Sequence, residues 1–231
     1  MEQILAATQK LYGNYNISKD HDFTHVLAVY EHACKACDCD LPEDKTRFII
    51  LAAAVLHDTD DPKIFNTVDN HNARAILTDT NIDPVTATAV IELINLVSCR
   101  HNKNSEVSDK WKLIPRDCDR IEALGEIGII RCYQYSLKIN NPMFTSSTPR
   151  VTSIEELNKV ATPERFARYN GKSASMIDHY YDKLLHIDVA ASGNKYVQAI
   201  IDKRKQMMVD FVLFFGRTGT IDMTYLNKIT Y

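Results

Sequence analysis

"LAAAVLHDTDDPK", residues 51–63, begins as an apolar helix and ends on His57, Asp58, Asp60 and Asp61. Polar groups beside a core must be satisfied. The segment therefore either leaves the core and meets water, or it holds something buried. No polar side chain falls between Phe48 and Leu56, so residues 46–57 read as a central helix buried on all sides.

The segments around this helix carry helical spacing as well. Phe23, Val26, Leu27, Tyr30, Cys34 and Cys37 recur at three and four residues from about 22 to 37. "NIDPVTATAVIELINLVSCRH" starts with Asp83 as an N-cap and Pro84 at the first helical position, and its stripe Val90, Leu93, Ile94, Val97 runs on to His101. "RDCDRIEALGEIGIIRCYQYS" reads as one further helix, in which Gly125 and Gly128 admit a close neighbour. "MIDHYYDKLLHI" and a longer helix near 195–215 follow, the latter with Ile200, Ile201, Met208, Phe211, Val212 and Phe215 on one side. No strand alternation and no repeat is present. The expected fold is all-α, one domain made of a core over 1–139, an irregular excursion over 140–171 with one short helix at 153–159, C-terminal helices over 172–217 and a tail over 218–231.

Composition narrows the function classes. Hydrophobic content of 45% and charged content of 25% are ordinary for a soluble globular protein. A net charge of −3 argues against general affinity for nucleic acid or anionic membrane. No apolar run approaches the ~20 residues of a membrane span. The N-terminus "MEQILAATQKLYG" lacks the basic and apolar regions of a secretory signal, so the expected location is the cytoplasm. Cys34, Cys37 and Cys39 contain one C-x-x-C, but no second tight pair accompanies it, and the six cysteines read as reduced structural thiols rather than a zinc cluster.

His57 and Asp58 are neighbours, about 100° apart around a helix. At a helix end, an imidazole nitrogen and a carboxylate oxygen from such a pair can face one ion. Two ligands alone bind weakly, so further ones must come from elsewhere. His25 sits off the main stripe of its helix, where packing on two sides would aim it inward. Asp119, at the start of the glycine-containing helix, offers a carboxylate. Each has a plainer reading: His25 as an exposed helix residue, Asp117 or Asp119 as a cap, Asp60 and Asp61 as turn chemistry before Pro62.

The ordered set "HDFTHVLAVYEHA", "LAAAVLHDTDDPK" and "DCDRIEALGEIGIIR" resembles the successive H…HD…D signatures of the HD-domain metal-dependent phosphohydrolases. The likeness is closest to small stand-alone members of bacterial type, some of which hydrolyse nucleoside triphosphates. It extends to "SASMIDHYYDKLLHI" and the final helix, leaving out 140–171 and the last dozen residues. The resemblance implies a divalent metal held by His25, His57, Asp58 and Asp119. Mn²⁺ is the first expectation, ahead of Mg²⁺, Co²⁺, Fe²⁺, Ni²⁺ or Zn²⁺. It also implies His21 as a support for the first ligand and Asp61 as the carboxylate that orients or activates water. Asp117 is the rival for the fourth ligand; Asp119 is preferred because Arg120 follows it directly.

An anionic substrate needs cationic partners. Lys63, Arg120 and Arg100 are the best available, with Arg74 better explained as a solvated helix residue. His101 is a candidate acid for a phosphate leaving group, although for a lone histidine the structural cap is the slightly stronger reading. The expected function is hydrolysis of a small phosphate substrate, foremost a nucleoside triphosphate to monophosphate and pyrophosphate. The alternatives are a nucleotidase or phosphodiesterase of the same superfamily, and an inactive HD module that binds metal or nucleotide.

Overall fold

The computed structural model describes residues 1–15, 22–62 and 64–226, without the side chains of residues 100 and 101. Helices and their connections account for these residues, and no strand occurs among them. They form two compact units, the described residues of 1–119 with 190–198, and residues 120–189 with 199–226.

The first unit is built on α1 (Glu2–Gly13), α2 (Phe23–Asp40), α3 (Asp44–Leu56), α4 (His71–Asp79), α5 (Pro84–Val97), α6 (Cys99–Asn102) and most of α7 (Ile114–Ile121). α3 is its centre, packed against α2, α5 and α1. Every residue from Ile49 to Leu56 is buried, as the unbroken apolar run requires. Each large aliphatic buried there contributes about 1.5–3 kcal/mol relative to exposure. Asp22 caps α2 by accepting from the Thr24 and His25 N–H groups at 2.9 and 3.3 Å. The second His-Asp pair of the chain thus contains a helix cap. Asp83 caps α5 in the same way, through Val85 and Thr86, with Pro84 beginning the helix.

The α5 stripe does not run unbroken to His101. Ser98 leaves helical geometry (φ −57°, ψ 111°), and α6 starts anew at Cys99. The Asn102 amide closes this break by donating to the Asn95 carbonyl at 2.7 Å and to that of Ser98 at 3.1 Å.

The second unit holds the end of α7, α8 (Gly125–Lys138), α9 (Ile154–Val160), α10 (Pro163–Arg168), α11 (Met176–Asp182), a short 3₁₀ turn (Leu184–His186) and most of α12 (Lys195–Thr218). The expected single helix across residues 116–136 is two. Leu124 is extended and Gly125 takes φ +69°, a region where a side chain would be strained. A Cβ on Gly128 would lie 2.2 Å from the Ala123 carbonyl oxygen, so the bend is tight as well as abrupt. Arg204 seals it by donating to the Ile121 carbonyl at 2.6 Å and the Glu122 carboxylate at 3.0 Å. Asp119 consequently stands near the C-terminal end of α7, not at the start of the glycine-containing helix.

Residues 140–171 carry two short helices where one was expected, capped by Ser153 and Thr162. A buried carboxylate ties α10 and the loop at Thr148 to α11: Asp178 accepts from Ser175 and Thr148 hydroxyls at 2.7 and 2.8 Å and from Arg165 at 2.7 Å. α12 turns Ile201, Met208, Phe211, Val212 and Phe215 into the unit's interior, with the Tyr180 ring stacked on Phe211.

Candidate metal centre

His25 comes from the first turn of α2, His57 and Asp58 from the end of α3, and Asp119 from α7. The structure brings them together. Ligand atoms of His25, His57 and Asp119 all lie within 4.8 Å of one another, and this is the one such group of potential metal ligands among the described residues. His25 Nε2 is 3.3 Å from Asp119 Oδ1 and 3.8 Å from Asp58 Oδ2. His57 Nε2 is 3.4 Å from Asp58 Oδ2 and 3.7 Å from Asp119 Oδ1. The imidazoles are buried, whereas the Asp119 side chain keeps 32% of its exposure, so the cluster is open on the carboxylate side.

The orientation of His57 follows from its neighbours. Its Nδ1 lies 2.9 Å from the Ala54 carbonyl, to which it can only donate. The neutral ring then presents an Nε2 lone pair, unaligned for any hydrogen bond, toward two carboxylates. A lone pair facing carboxylates needs a cation between them, either a proton or a metal ion. Two imidazole nitrogens with carboxylate oxygens suit a divalent ion, and an imidazole held through its other nitrogen is the usual second partner of such a ligand. The donor set fits a divalent metal.

The electrostatics agree. Burial alone would pull His57 down, but Asp58 and then Asp119 outweigh it and push the ring up to about 9. Burial alone would lift the Asp119 carboxyl, but His25 and His57 hold it well below the ordinary carboxylate range.

Asp117, the rival fourth ligand, is fully buried and accepts from the Ser192 N–H at 2.7 Å, with Arg116 Nε 3.8 Å from its carboxylate. Asp61 is half-buried and its carbonyl accepts from the Ile64 and Phe65 N–H groups. Arg120 is buried. His21 and Lys63 lie outside the described residues, and the side chains of Arg100 and His101 do too; both of those residues belong to α6. Arg74 donates to the Asp69 carbonyl at the exposed start of α4.

Two neighbours of the cluster were not anticipated. The Tyr12 hydroxyl is buried without a hydrogen-bond partner among the described residues, its ring set edge-on to Phe23 and Phe65. Burial, then the charges of Asp58 and Asp61, push its phenol far up. No local signal marks it, since it occupies an ordinary buried position of α1. Asp60, read as turn chemistry, instead accepts hydrogen bonds from Thr67, Asn72 and Ala73.

The same fold occurs in an HD-superfamily hydrolase from Bacillus thuringiensis, 20% identical with a TM-score of 0.64 over 99% of this chain and 97% of that one. It occurs again in YpgQ of Bacillus subtilis, solved in complex with ADP, 20% identical with a TM-score of 0.65 over 96% of this chain and 99% of that one. The architecture is therefore that of an HD domain. No protein-family model matches the chain. By sequence it is 42% identical over 221 residues to the uncharacterized protein L803 of Acanthamoeba polyphaga mimivirus, spanning 87% of this chain and 90% of that one, and it belongs to the same family as L803. No helix among the described residues is long and apolar enough to cross a membrane.

Proposed function

We propose that this protein is a metal-dependent phosphohydrolase acting on nucleotides, cleaving a nucleoside triphosphate to monophosphate and pyrophosphate. The observation that carries the reading is the convergence of His25, His57 and Asp119 from three helices within 4.8 Å, with Asp58 beside them. These four residues hold the ion, Mn²⁺ by first preference. A bound divalent ion supplies the Lewis acidity that polarises a phosphoryl oxygen and makes water nucleophilic near neutral pH.

The remaining roles belong to the chain's own side chains. Asp61, three residues beyond His-Asp, orients the attacking water and accepts its proton. Lys63, Arg120 and Arg100 hold the anionic oxygens of the polyphosphate, and His101 protonates the departing group. His21 supports His25. Two or three such cations near a dication would exceed what one phosphomonoester needs, which favours a polyphosphate substrate. The ADP bound to YpgQ, whose fold this chain shares, supports a nucleotide.

The test is a nucleotide panel incubated with Mn²⁺-loaded protein, with phosphate, pyrophosphate and triphosphate separated among the products. Pyrophosphate released from triphosphates, faster than phosphate from monophosphates, is the expected result. Phosphate from monophosphates as the main product indicates a nucleotidase; no turnover of any nucleotide indicates an inactive binding module.

A further inference from the structure

We propose that Asp60 is a positioning residue, anchoring the 57–61 segment to the N-terminus of α4 so that Asp58 and Asp61 are held at the metal centre. The inference rests on the metal-centre reading above.

The N-terminus of a helix presents N–H groups that lack intrahelical acceptors. α4 does not satisfy them with its own cap. Asn70 takes a left-handed conformation (φ 55°, ψ 43°), and its amide donates to Asn95 on α5 at 2.8 Å rather than serving the helix. Asp69 before it is left-handed too, at φ 57°. The missing acceptor comes from ten residues upstream. Asp60 Oδ1 accepts from the Asn72 N–H at 3.0 Å and from the Thr67 hydroxyl at 2.6 Å. Asp60 Oδ2 accepts from the Ala73 N–H at 3.0 Å. One carboxylate thus takes three donors, the Thr67 hydroxyl and two N–H groups in the first turn of α4, and its negative charge lies at the positive end of the helix.

The tie is reciprocal. The Asn72 amide donates back to the Thr59 carbonyl at 2.7 Å, and the Thr59 hydroxyl also reaches the Leu56 carbonyl at 2.8 Å. The chain between Leu56 and Asp61 is therefore held at Thr59 and Asp60, the two residues that separate Asp58 from Asp61. A ligand on a turn just past a helix end would otherwise sample several orientations. A site holds its geometry only when the residues behind the ligands are themselves fixed.

Asp60→Ala, Asp60→Asn and the milder Thr67→Val separate this role from simple helix capping. In metal-free protein, amide hydrogen exchange is measured at Thr59, Asp61, Asn72 and Ala73, and Mn²⁺ affinity is then measured by calorimetry well below each variant's Tm. Asp60→Ala is expected to speed exchange at least tenfold at Thr59 and Asp61 as well as at Asn72 and Ala73, and to weaken Mn²⁺ binding by about 10–100-fold. Asp60→Asn, which keeps one acceptor oxygen, and Thr67→Val should fall between. Faster exchange confined to Asn72 and Ala73, or undiminished Mn²⁺ affinity in Asp60→Ala, overturns the inference. A wild type that takes up no Mn²⁺ overturns the metal reading instead, while the exchange rates at Thr59 and Asp61 still decide whether Asp60 holds the turn.

Discussion

His57 Nε2 and the Asp58 carboxylate, from adjacent residues, lie 3.4 Å apart at the end of α3, with the imidazole fully buried and its Nδ1 bound to Ala54. Neighbours about 100° apart on a helix do not ordinarily face a common point. They do so here because α3 stops at Leu56 and the chain turns at Thr59, while His25 and Asp119 approach from other helices. The polar end of the central helix is thus not an exit into water but one wall of a cluster.

If that cluster holds a metal, chelation should destabilise the fold. Free metal at 100 times its dissociation constant adds about 2.7 kcal/mol. For a protein of this size, that stabilisation corresponds to a Tm shift of about 5–11 °C. Calorimetric scans with Mn²⁺ and with chelator should differ by this much and reverse on adding metal back. Superimposable scans contradict the prediction.

The four aspartates separate by variant. Asp58→Ala and Asp119→Ala should lose both stoichiometric metal and turnover. Asp61→Ala should keep the metal and lose turnover. Asp117→Ala should keep its metal but lose about 1–3 kcal/mol of stability, because the part-buried Ser192 N–H loses its acceptor. Elemental analysis beside thermal melts distinguishes these outcomes. Full metal content in the Asp119 variant would assign the fourth ligand elsewhere.

Much of this arrangement is legible in the sequence. The apolar run from Ile49 to Leu56 is the buried centre of the first unit, and Asp83-Pro84 begins α5 as its cap chemistry requires. The helix breaks were harder. The apolar spacing continues across Ser98 and across Leu124–Gly125, so periodicity could not reveal the change in backbone direction. At Gly125 the decisive property is a positive φ, stabilised by Arg204 from nearly eighty residues away. Asp60 was legible as a turn residue only, since its partners Asn72 and Ala73 come from a later helix. The convergence of His25 on His57 likewise depends on packing, which spacing within a single helix does not encode.

Lys63 tests the substrate class. If it binds a distal phosphate in the ground state, Lys63→Ala should raise KM for a nucleoside triphosphate about tenfold with kcat little changed, and should leave KM for a monophosphate nearly as it was. Steady-state kinetics on both substrates gives the comparison. Equal effects on the two would detach Lys63 from the polyphosphate.

The second unit carries a pH signature of its own. Burial of His186, stacked on Phe166, lowers its pKa below 6.5 against the opposing effects of the Tyr181 carbonyl, Asp188 and Asp182, while Arg165 lowers it further. The unfolded chain therefore binds this proton more readily than the native one. Its contribution to stability is complete above pH 6.5 and is lost as pH falls through the lower native value. Denaturant melts of the wild type and His186→Gln from pH 7.5 to 5.5 should diverge, the wild type losing stability relative to the variant as pH falls, while the opposite trend of His57 is common to both. An unchanged slope in the variant would contradict the assignment.

Anomalous diffraction from crystals soaked in Mn²⁺ tests the central claim most directly. The account predicts a strong peak bonded to His25 Nε2, His57 Nε2 and the carboxylates of Asp58 and Asp119, lost in Asp58→Ala crystals soaked identically. Absence of density among these four residues in the wild type, or a peak bonded to Asp117 in place of Asp119, would contradict it.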